Sequence, residues 1–230
     1  MRIRCKPWAR PELEACPFYI ADPRAHKDHW HEVFGNDRPI WLELGCGKGG
    51  FASQACIRWP DVNFIAVDIK NEMLVLAKRK IEQALADNDM TADRVRVMIF
   101  NISHIEEAFG ASDPVERIFI NFCNPWPKPK HKKRRLTHTR QLVQYKPFLR
   151  GELWFKTDDD ELFEETLEYL AETGFRVTYL TRDLHASGFA DNLETEHERM
   201  FTEEGKHIKF LIAVPETAKA GTEGNEVSTR

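Results

Sequence analysis

The feature that most constrains this chain is a short apolar segment that runs directly into a glycine-rich turn. Residues 40–44, Ile-Trp-Leu-Glu-Leu, precede Gly-Cys-Gly-Lys-Gly-Gly at 45–50, and an apolar helical pattern follows from Phe51. Glycines allow backbone conformations that other residues rarely adopt, so a buried strand can turn sharply here into a helix. This order of elements predicts a parallel α/β sheet with a ligand at the carboxyl ends of its strands.

The strand–helix alternation continues along the chain to residue 214. Further strands are predicted at 63–68, 95–100, 117–122, 152–156, 175–181 and 207–214, and helical spacing occurs over 51–57, 74–85, 105–109, 139–149 and 162–170. Short buried strands that alternate with helices are typical of parallel sheets covered on both sides. We therefore predict a Rossmann-like α/β fold, a seven-stranded mostly parallel sheet with helices on both faces.

Composition divides the chain into three parts and excludes several classes of protein. Residues 1–39 contain five prolines and are predicted to be irregular. Residues 40–214 are predicted to form the domain, and residues 215–230 a disordered tail. Hydrophobic residues make up 42% of the chain, which excludes disorder of the whole. The five scattered cysteines make a poor disulfide framework, and no apolar run suits a membrane helix or a signal peptide. We expect a cytoplasmic protein.

The glycine turn leaves the ligand open between a dinucleotide and a sulfonium compound. Gly45-x-Gly47-x-x-Gly50 satisfies the dinucleotide fingerprint, and Asp68 ends the next strand near the spacing of a ribose-binding acid. Glu43, however, stands two residues before the first glycine, where a carboxylate would repel a pyrophosphate. S-adenosylmethionine carries a sulfonium and an ammonium but no phosphate, so we favour it. The alternative is that the glycines only form a tight turn and Glu43 is a solvated strand-end residue.

A second candidate region follows the predicted strand at 117–122. Asn124-Pro-Trp126-Pro forms a rigid loop with an aromatic face, and six of the eight residues at 128–135 are Lys or Arg. The whole chain has a net charge of −4, so this run is a local concentration of positive charge. Basic residues beside a stacking surface suit an RNA that carries the reacting base. A solvated charge run is the simpler alternative.

These motifs together resemble those of the bacterial tRNA (guanine-N7)-methyltransferase family. The matching segments lie, in chain order, at 2–8, 33–36, 43–49, 121–128, 131–136, 155–158 and 192–198. The resemblance implies a class I S-adenosylmethionine-dependent methyltransferase that methylates a variable-loop guanine of tRNA. It also implies an N-terminal segment that partly faces RNA. We expect a monomer or a homodimer.

The resemblance also assigns residues to roles. Methyl-donor contacts fall on Glu43, Gly45, Gly47, Asp68, Asn101 and Asn124. Substrate contacts fall on Lys128, Asp158, Thr195, Glu196, His197 and Glu198. RNA contacts fall on Lys130, His131, Lys132, Lys133, Arg134 and Arg135. The catalytic assignments are Asn124 and Asp158.

Two positions depart from the family pattern. Asn101 and Asn124 stand where the family commonly has aspartate, and the second of these positions is the one usually called catalytic. Guanine N7 has a lone pair and no proton, so methyl transfer to it needs orientation rather than a general base. We therefore expect an active enzyme, with carboxylates such as Asp158 and Glu198 opposing the positive charge that reaches the guanine.

Three other functions stay open at this stage. Asn124-Pro-Trp also resembles the loop of methyltransferases that act on exocyclic amines, N2 or N6. A tRNA-binding protein of the same fold with weakened catalysis and a dinucleotide oxidoreductase are further alternatives. Asp158 would then be a helix N-cap and Glu198 an exposed helical acid. The histidines at 26, 29 and 31 have no cysteine partner nearby, so no metal is expected.

Overall fold

A computed structural model describes residues 6–216, which form one sheet of eight strands flanked by eight α-helices. The strands are β1 (Tyr19–Ile20), β2 (Ile40–Leu44), β3 (Asn63–Asp68), β4 (Val95–Ile99), β5 (Val115–Asn121), β6 (Leu149–Thr157), β7 (Phe175–Thr181) and β8 (Lys209–Pro215). The helices are α1 (Ala9–Glu14), α2 (Trp30–Phe34), α3 (Gly50–Arg58), α4 (Asn71–Asp87), α5 (Thr139–Tyr145), α6 (Asp160–Glu172), α7 (Leu184–Ser187) and α8 (Glu196–Glu203). Short 3-10 helices occupy Pro23–His26, Ile102–Glu107 and Pro129–Arg134.

The sheet has the order β1-β4-β3-β2-β5-β6-β8-β7. Strands β1 to β6 pair in parallel, whereas β8 lies antiparallel between β6 and β7. The mostly parallel α/β fold is thus confirmed. The chain reverses strand order on either side of β2, which places the carboxyl ends of β2 and β5 at the point where ligands bind in such sheets.

Helices cover both faces because the central strands are buried on both sides. In β3, Phe64 and Ala66 pack into the core beneath α1, α3 and α4, whereas Ile65 and Val67 pack into the core beneath α2, α5 and α6. A strand buried on both faces has no polar side, and this explains the continuous apolar run at 64–67. The packing of these two cores fixes the carboxyl ends of the central strands, where the candidate site lies.

The predicted count of seven strands is wrong by one. The eighth strand, β1, lies in the N-terminal segment and pairs with β4 through Tyr19 and Ile20 alone. Two residues are too few to show an alternation in the sequence.

The N-terminal segment is also less irregular than predicted, because its prolines lie where helices tolerate them: Pro11 is in the first turn of α1, and Pro23 starts a 3-10 helix. Helix α1 packs on α4, where Glu12 pairs with Arg79, and Trp30 in α2 is fully buried with its indole N–H donating to the Ala108 carbonyl at 2.9 Å. These contacts join the segment to the sheet. The division at residue 40 stays a prediction, as does the tail at 215–230, of which residues 217–230 lie outside the described part. Within residues 6–216, no helix has the length and apolarity to cross a membrane.

Candidate cofactor and substrate site

An open cavity of about 180 Å³ lies at the carboxyl ends of β2 and β5. Its floor is formed by Glu43 and Asn121, one side by the glycine turn from Gly45 to Gly50, and the other by Phe122 and residues 195–197. The structure thus brings together six of the predicted site residues: Glu43, Gly45, Gly47, Thr195, Glu196 and His197.

The glycine turn depends on backbone conformations that favour glycine. Gly45 and Gly47 have φ of +83° and +54°, and the Gly45 N–H donates to the Val67 carbonyl at 2.9 Å. Gly49 has φ of +76° and a further reason to be glycine, since a Cβ there would lie 2.6 Å from the Cα of Ala77 in α4. The first two glycines shape the cavity wall, and the third lets α3 approach α4 closely.

Glu43 is buried rather than solvated, which overturns the simpler alternative for this residue. Its Oε1 accepts a hydrogen bond from the Asn121 amide at 3.2 Å, while Oε2 has no hydrogen-bond partner within residues 6–216. Burial raises the pKa of Glu43 to about 7. A buried carboxylate oxygen without a donor costs free energy unless a ligand supplies one. The cavity floor therefore suits a ligand that carries positive charge and N–H donors.

Asp68 and Asn101 lie at the ends of the neighbouring strands β3 and β4 and do not line this cavity. The Asp68 carboxylate accepts the backbone N–H groups of Gly47 at 3.0 Å and Lys70 at 2.8 Å. A carboxylate has about four acceptor positions, which leaves capacity for two hydroxyl groups. Asn101 is exposed, and its side-chain oxygen caps the 3-10 helix that follows it by accepting from Ser103 N–H at 3.1 Å.

The proline–tryptophan loop after β5 is locked by its own side chains. Asn124 is exposed, and its Oδ1 accepts the Trp126 N–H at 3.0 Å, so its amide N–H₂ group faces outward as the remaining donor. An aspartate at 124 is able to accept the same bond, because only the oxygen is used. The indole of Trp126 contacts the guanidinium of Arg134, which lies 5.1 Å from the ring centroid.

The basic run separates into an exposed part and an interior part. Among the described residues, four of its cations are exposed and have no carboxylate partner: Lys128, Lys130, Lys133 and Arg134. His131 is half-buried and packs its ring against Trp126.

Two members of the run face α6 instead. Lys132 and Arg135 both pair with Glu165, and Arg135 also donates to the Pro125 carbonyl at 2.6 Å. Arg135 is 0% exposed, so the prediction that it contacts RNA is corrected. It is a structural residue that ties the proline–tryptophan loop to α6. The sequence of the basic run could not reveal that Arg135 is buried, because its partner Glu165 lies thirty residues further along the chain.

Asp158 does not cap α6, because Asp159 does so by accepting the Leu162 N–H at 2.7 Å. The Asp158 carboxylate instead pairs with Lys206 at 3.1 Å. It lines a separate open groove with Arg182, His207 and other residues. The helix N-cap interpretation of Asp158 is therefore wrong by one residue.

The predicted substrate segment at 195–198 starts helix α8 through a capping box. Thr195 Oγ1 accepts the Glu198 N–H at 3.0 Å, and Glu198 Oε2 accepts the Thr195 N–H at 3.4 Å. Glu198 is 0% exposed and pairs with Lys156 at 2.6 Å, so the interpretation as an exposed helical acid is wrong. In this conformation Glu198 holds the segment, and Thr195, Glu196 and His197 present it to the cavity.

Comparison with known proteins decides the family. A family model described as "Putative methyltransferase" matches residues 37–211. A tRNA (guanine-N(7)-)-methyltransferase of Clostridium beijerinckii is 59% identical over 216 residues, covering 93% of this chain and 99% of that protein. The chain belongs to the tRNA (guanine-N7)-methyltransferase family.

Other relatives agree with this assignment. A protein of the same name from Clostridium botulinum is 57% identical over 94% of this chain and 100% of its own. The solved structure of an antibiotic-related methyltransferase superposes with a TM-score of 0.58 at 15% identity, covering 82% of this chain and 94% of that one. At that identity the likeness shows the fold alone, which is that of the α/β methyltransferases.

Sequence reasoning missed three residues of the site. Asn121 holds Glu43, Phe122 stacks on His197 with a centroid distance of 6.1 Å, and Lys156 lies beneath α8. Phe122 also has φ of +50°, which is uncommon for a bulky residue and turns the chain out of β5. The available signal was position, since Asn121 and Lys156 are polar residues that directly follow the apolar runs at 118–120 and 153–155.

Proposed function

We propose that this protein transfers a methyl group from S-adenosylmethionine to N7 of a variable-loop guanine in tRNA. The observation that carries the proposal is the buried Glu43 carboxylate, with one oxygen left without a donor, on the floor of a cavity walled by a glycine turn. A pyrophosphate would be repelled there, which disfavours a dinucleotide oxidoreductase. We also expect the protein to act in the cytoplasm as a monomer or homodimer.

The residues of the glycine turn and its neighbours fit the methyl donor. Glu43 would accept from its ammonium group, Asp68 from its ribose hydroxyls, and Asn101 would contact its adenine edge, while Gly45 and Gly47 let the chain approach closely. When bound, S-adenosylmethionine supplies a methyl group that is activated by the positive charge on sulfur. The chain's own contribution is to hold this group in line with the nucleophile.

The guanine side needs placement rather than proton transfer. N7 carries a lone pair, so Asn124 has no proton to remove and acts by hydrogen bonding and by shaping its loop. The stacked pair of Phe122 and His197 offers an aromatic surface to the base at the cavity wall. Negative charge at Glu43 opposes the positive charge that moves toward the guanine, whereas Asp158 lies in a separate groove and pairs with Lys206.

The tRNA backbone would contact the exposed part of the basic run. Lys128, Lys130, Lys133 and Arg134 follow the loop that leads from the cavity and keep their charges free of carboxylates among the described residues. Phosphate contacts by such residues supply affinity and orientation without reading sequence.

The proposal is tested with labelled S-adenosylmethionine and an unmodified tRNA transcript. We expect label to enter the RNA and the product to break at one variable-loop guanine under conditions that cleave at N7-methylguanosine. Label without cleavage indicates an exocyclic amine as the acceptor. Binding of tRNA without label indicates a catalytically weakened RNA-binding protein, and either result contradicts the proposal.

A further inference from the structure

Lys156 is a buried lysine at the end of β6 to which no role in binding or catalysis has been given. Its side chain is 5% exposed, and it lies beside Asn121 of β5 in the sheet register. Burial lowers its pKa, and the Glu198 carboxylate opposes that shift. A lysine is rarely buried without a specific partner, so its contacts define what it does.

The Lys156 ammonium uses three hydrogen-bond acceptors from one stretch of chain. It donates to Asn192 Oδ1 at 2.6 Å, to the Leu193 carbonyl at 3.1 Å and to Glu198 Oε2 at 2.6 Å. Asn192 closes the network by donating its amide to Glu198 Oε1 at 2.7 Å. An ammonium has three donors, and each has a partner in the segment that enters α8.

This network fixes the cavity wall formed by residues 195–197. Glu198 completes the capping box of α8, and the same carboxylate has Lys156 as its buried cationic partner, with the half-exposed His185 at 3.3 Å from its other oxygen. A buried carboxylate that loses its cation is strongly destabilised, so the start of α8 would rearrange without Lys156. The buried Lys156 side chain therefore fixes the cavity wall formed by residues 195–197.

Lys156 is also a neighbour, in the sheet register, of a residue that contacts the cofactor floor. Its strand neighbour Asn121 donates to Glu43, so a polar row runs from Glu43 through Asn121 and Lys156 to Glu198. The row spans the ends of β2, β5 and β6 and reaches α8. It connects the groups proposed to hold the methyl donor with the wall proposed to receive the base.

We propose that Lys156 is a positioning residue for methyl transfer, which sets the Thr195–His197 wall against the Glu43 floor by holding Asn192, Leu193 and Glu198. The inference rests on the proposed function. Since a displacement of about 1 Å at a reacting centre can lower a rate about a hundredfold, loss of this anchor acts mainly on kcat.

The test compares Lys156→Met with Lys146→Met. Lys146, the part-buried residue directly after α5, donates to the Thr173 carbonyl at 2.9 Å and does not line the cavity. We expect K156M to lower kcat by about tenfold to a hundredfold at saturating S-adenosylmethionine and tRNA. We expect K146M to lower Tm without lowering kcat. If kcat of K156M stays within about twofold of wild type, the inference is overturned, because the loss of a single hydrogen bond would lower the rate by more than that.

Asn192→Ala supplies a second variant that keeps the buried ion pair. It removes the two hydrogen bonds of the amide, one accepted from Lys156 and one donated to Glu198, so we expect a smaller loss of Tm than in K156M and a kcat about threefold to tenfold lower. In the double variant K156M/N192A the kcat should be no lower than in K156M alone, since both changes release the same wall. Additive losses overturn the inference.

Hydrogen exchange separates this inference from the proposed function. We expect the backbone amides of residues 195–203 to exchange faster in K156M and to be unchanged in K146M. Unchanged exchange in that segment overturns the role of Lys156. If wild-type protein transfers no methyl group to tRNA, the proposed function fails, and exchange still decides whether Lys156 holds α8.

Discussion

The Asn121 side-chain amide donates to Glu43 Oε1 at 3.2 Å and leaves Oε2 of the same buried carboxylate without a partner among the described residues. An apolar ligand would leave that oxygen unsatisfied, whereas an ammonium group supplies both a donor and the opposite charge. This single relationship distinguishes the site from a dinucleotide site more clearly than the glycine spacing does.

Glu43→Gln tests that relationship. A hydrogen bond to a charged group is worth about 1.5–3 kcal/mol, so the variant should bind S-adenosylmethionine about tenfold to a hundredfold more weakly. Calorimetric titration measures this affinity. Glu116→Gln, a change at an exposed position of β5, is the matched control and should bind as wild type does. Equal affinities for wild type and E43Q would show that the carboxylate does not contact the ligand.

The pH dependence of stability follows from the raised pKa of Glu43. Its ordinary pKa is 4.5, and burial raises it to about 7 in the folded chain, where Asp68 and the Cys46 thiol are near it and Lys156 opposes the shift. Between these two values the folded chain holds a proton that the unfolded chain has released. The free energy of unfolding of the ligand-free protein should therefore fall as pH rises from about 4.5 to about 7, by at most about 3 kcal/mol.

The measurement is the difference in free energy of unfolding between wild type and E43Q across that pH range. The difference cancels other titrating groups, and it should become flat above about pH 7. S-adenosylmethionine affinity should change in the opposite sense and rise with pH, because the ionised carboxylate is the form that accepts an ammonium. A pH-independent difference would place the pKa of Glu43 near its ordinary value.

The two halves of the basic run should respond differently to salt. Lys133 and Arg134 are exposed, so K133A/R134A should weaken tRNA binding and reduce the slope of log affinity against log salt by about two. Arg135 is buried against Glu165. Burial alone would raise the pKa of Glu165, but hydrogen bonds from Lys132 and Tyr169 lower it to about 2. Arg135→Met should therefore lower Tm and leave the salt slope unchanged. A slope that falls equally in both variants would contradict this division.

Asn124→Asp tests whether the amide is a weakened catalyst. The oxygen that accepts from Trp126 is kept, and the added charge is exposed and therefore screened. We expect kcat to rise by less than about tenfold, which is about 1.4 kcal/mol of transition-state stabilisation. Single-turnover methyl transfer measures it. A rise of a hundredfold would mean that a carboxylate is required at this position.

Much of the fold follows from local patterns, and much of the site does not. The glycine turn after β2 and the apolar runs of the central strands were predicted because each is set by residues next to one another. Strand β1 was missed because a segment of two residues is too short to show the alternation of a strand. The Lys156–Glu198 pair joins residues 42 positions apart, and no local rule links them. Burial of Glu43 was likewise decided by strands on both sides of it.

The central claim is transfer to guanine N7, and a base analogue tests it most directly. Two tRNA transcripts are compared under labelled S-adenosylmethionine, one with ordinary guanine and one with 7-deazaguanine, in which carbon replaces N7. We predict that label enters the first transcript and not the second, while both transcripts bind the protein equally. Equal labelling of both would contradict the account, because the acceptor would then be an atom that the two bases share.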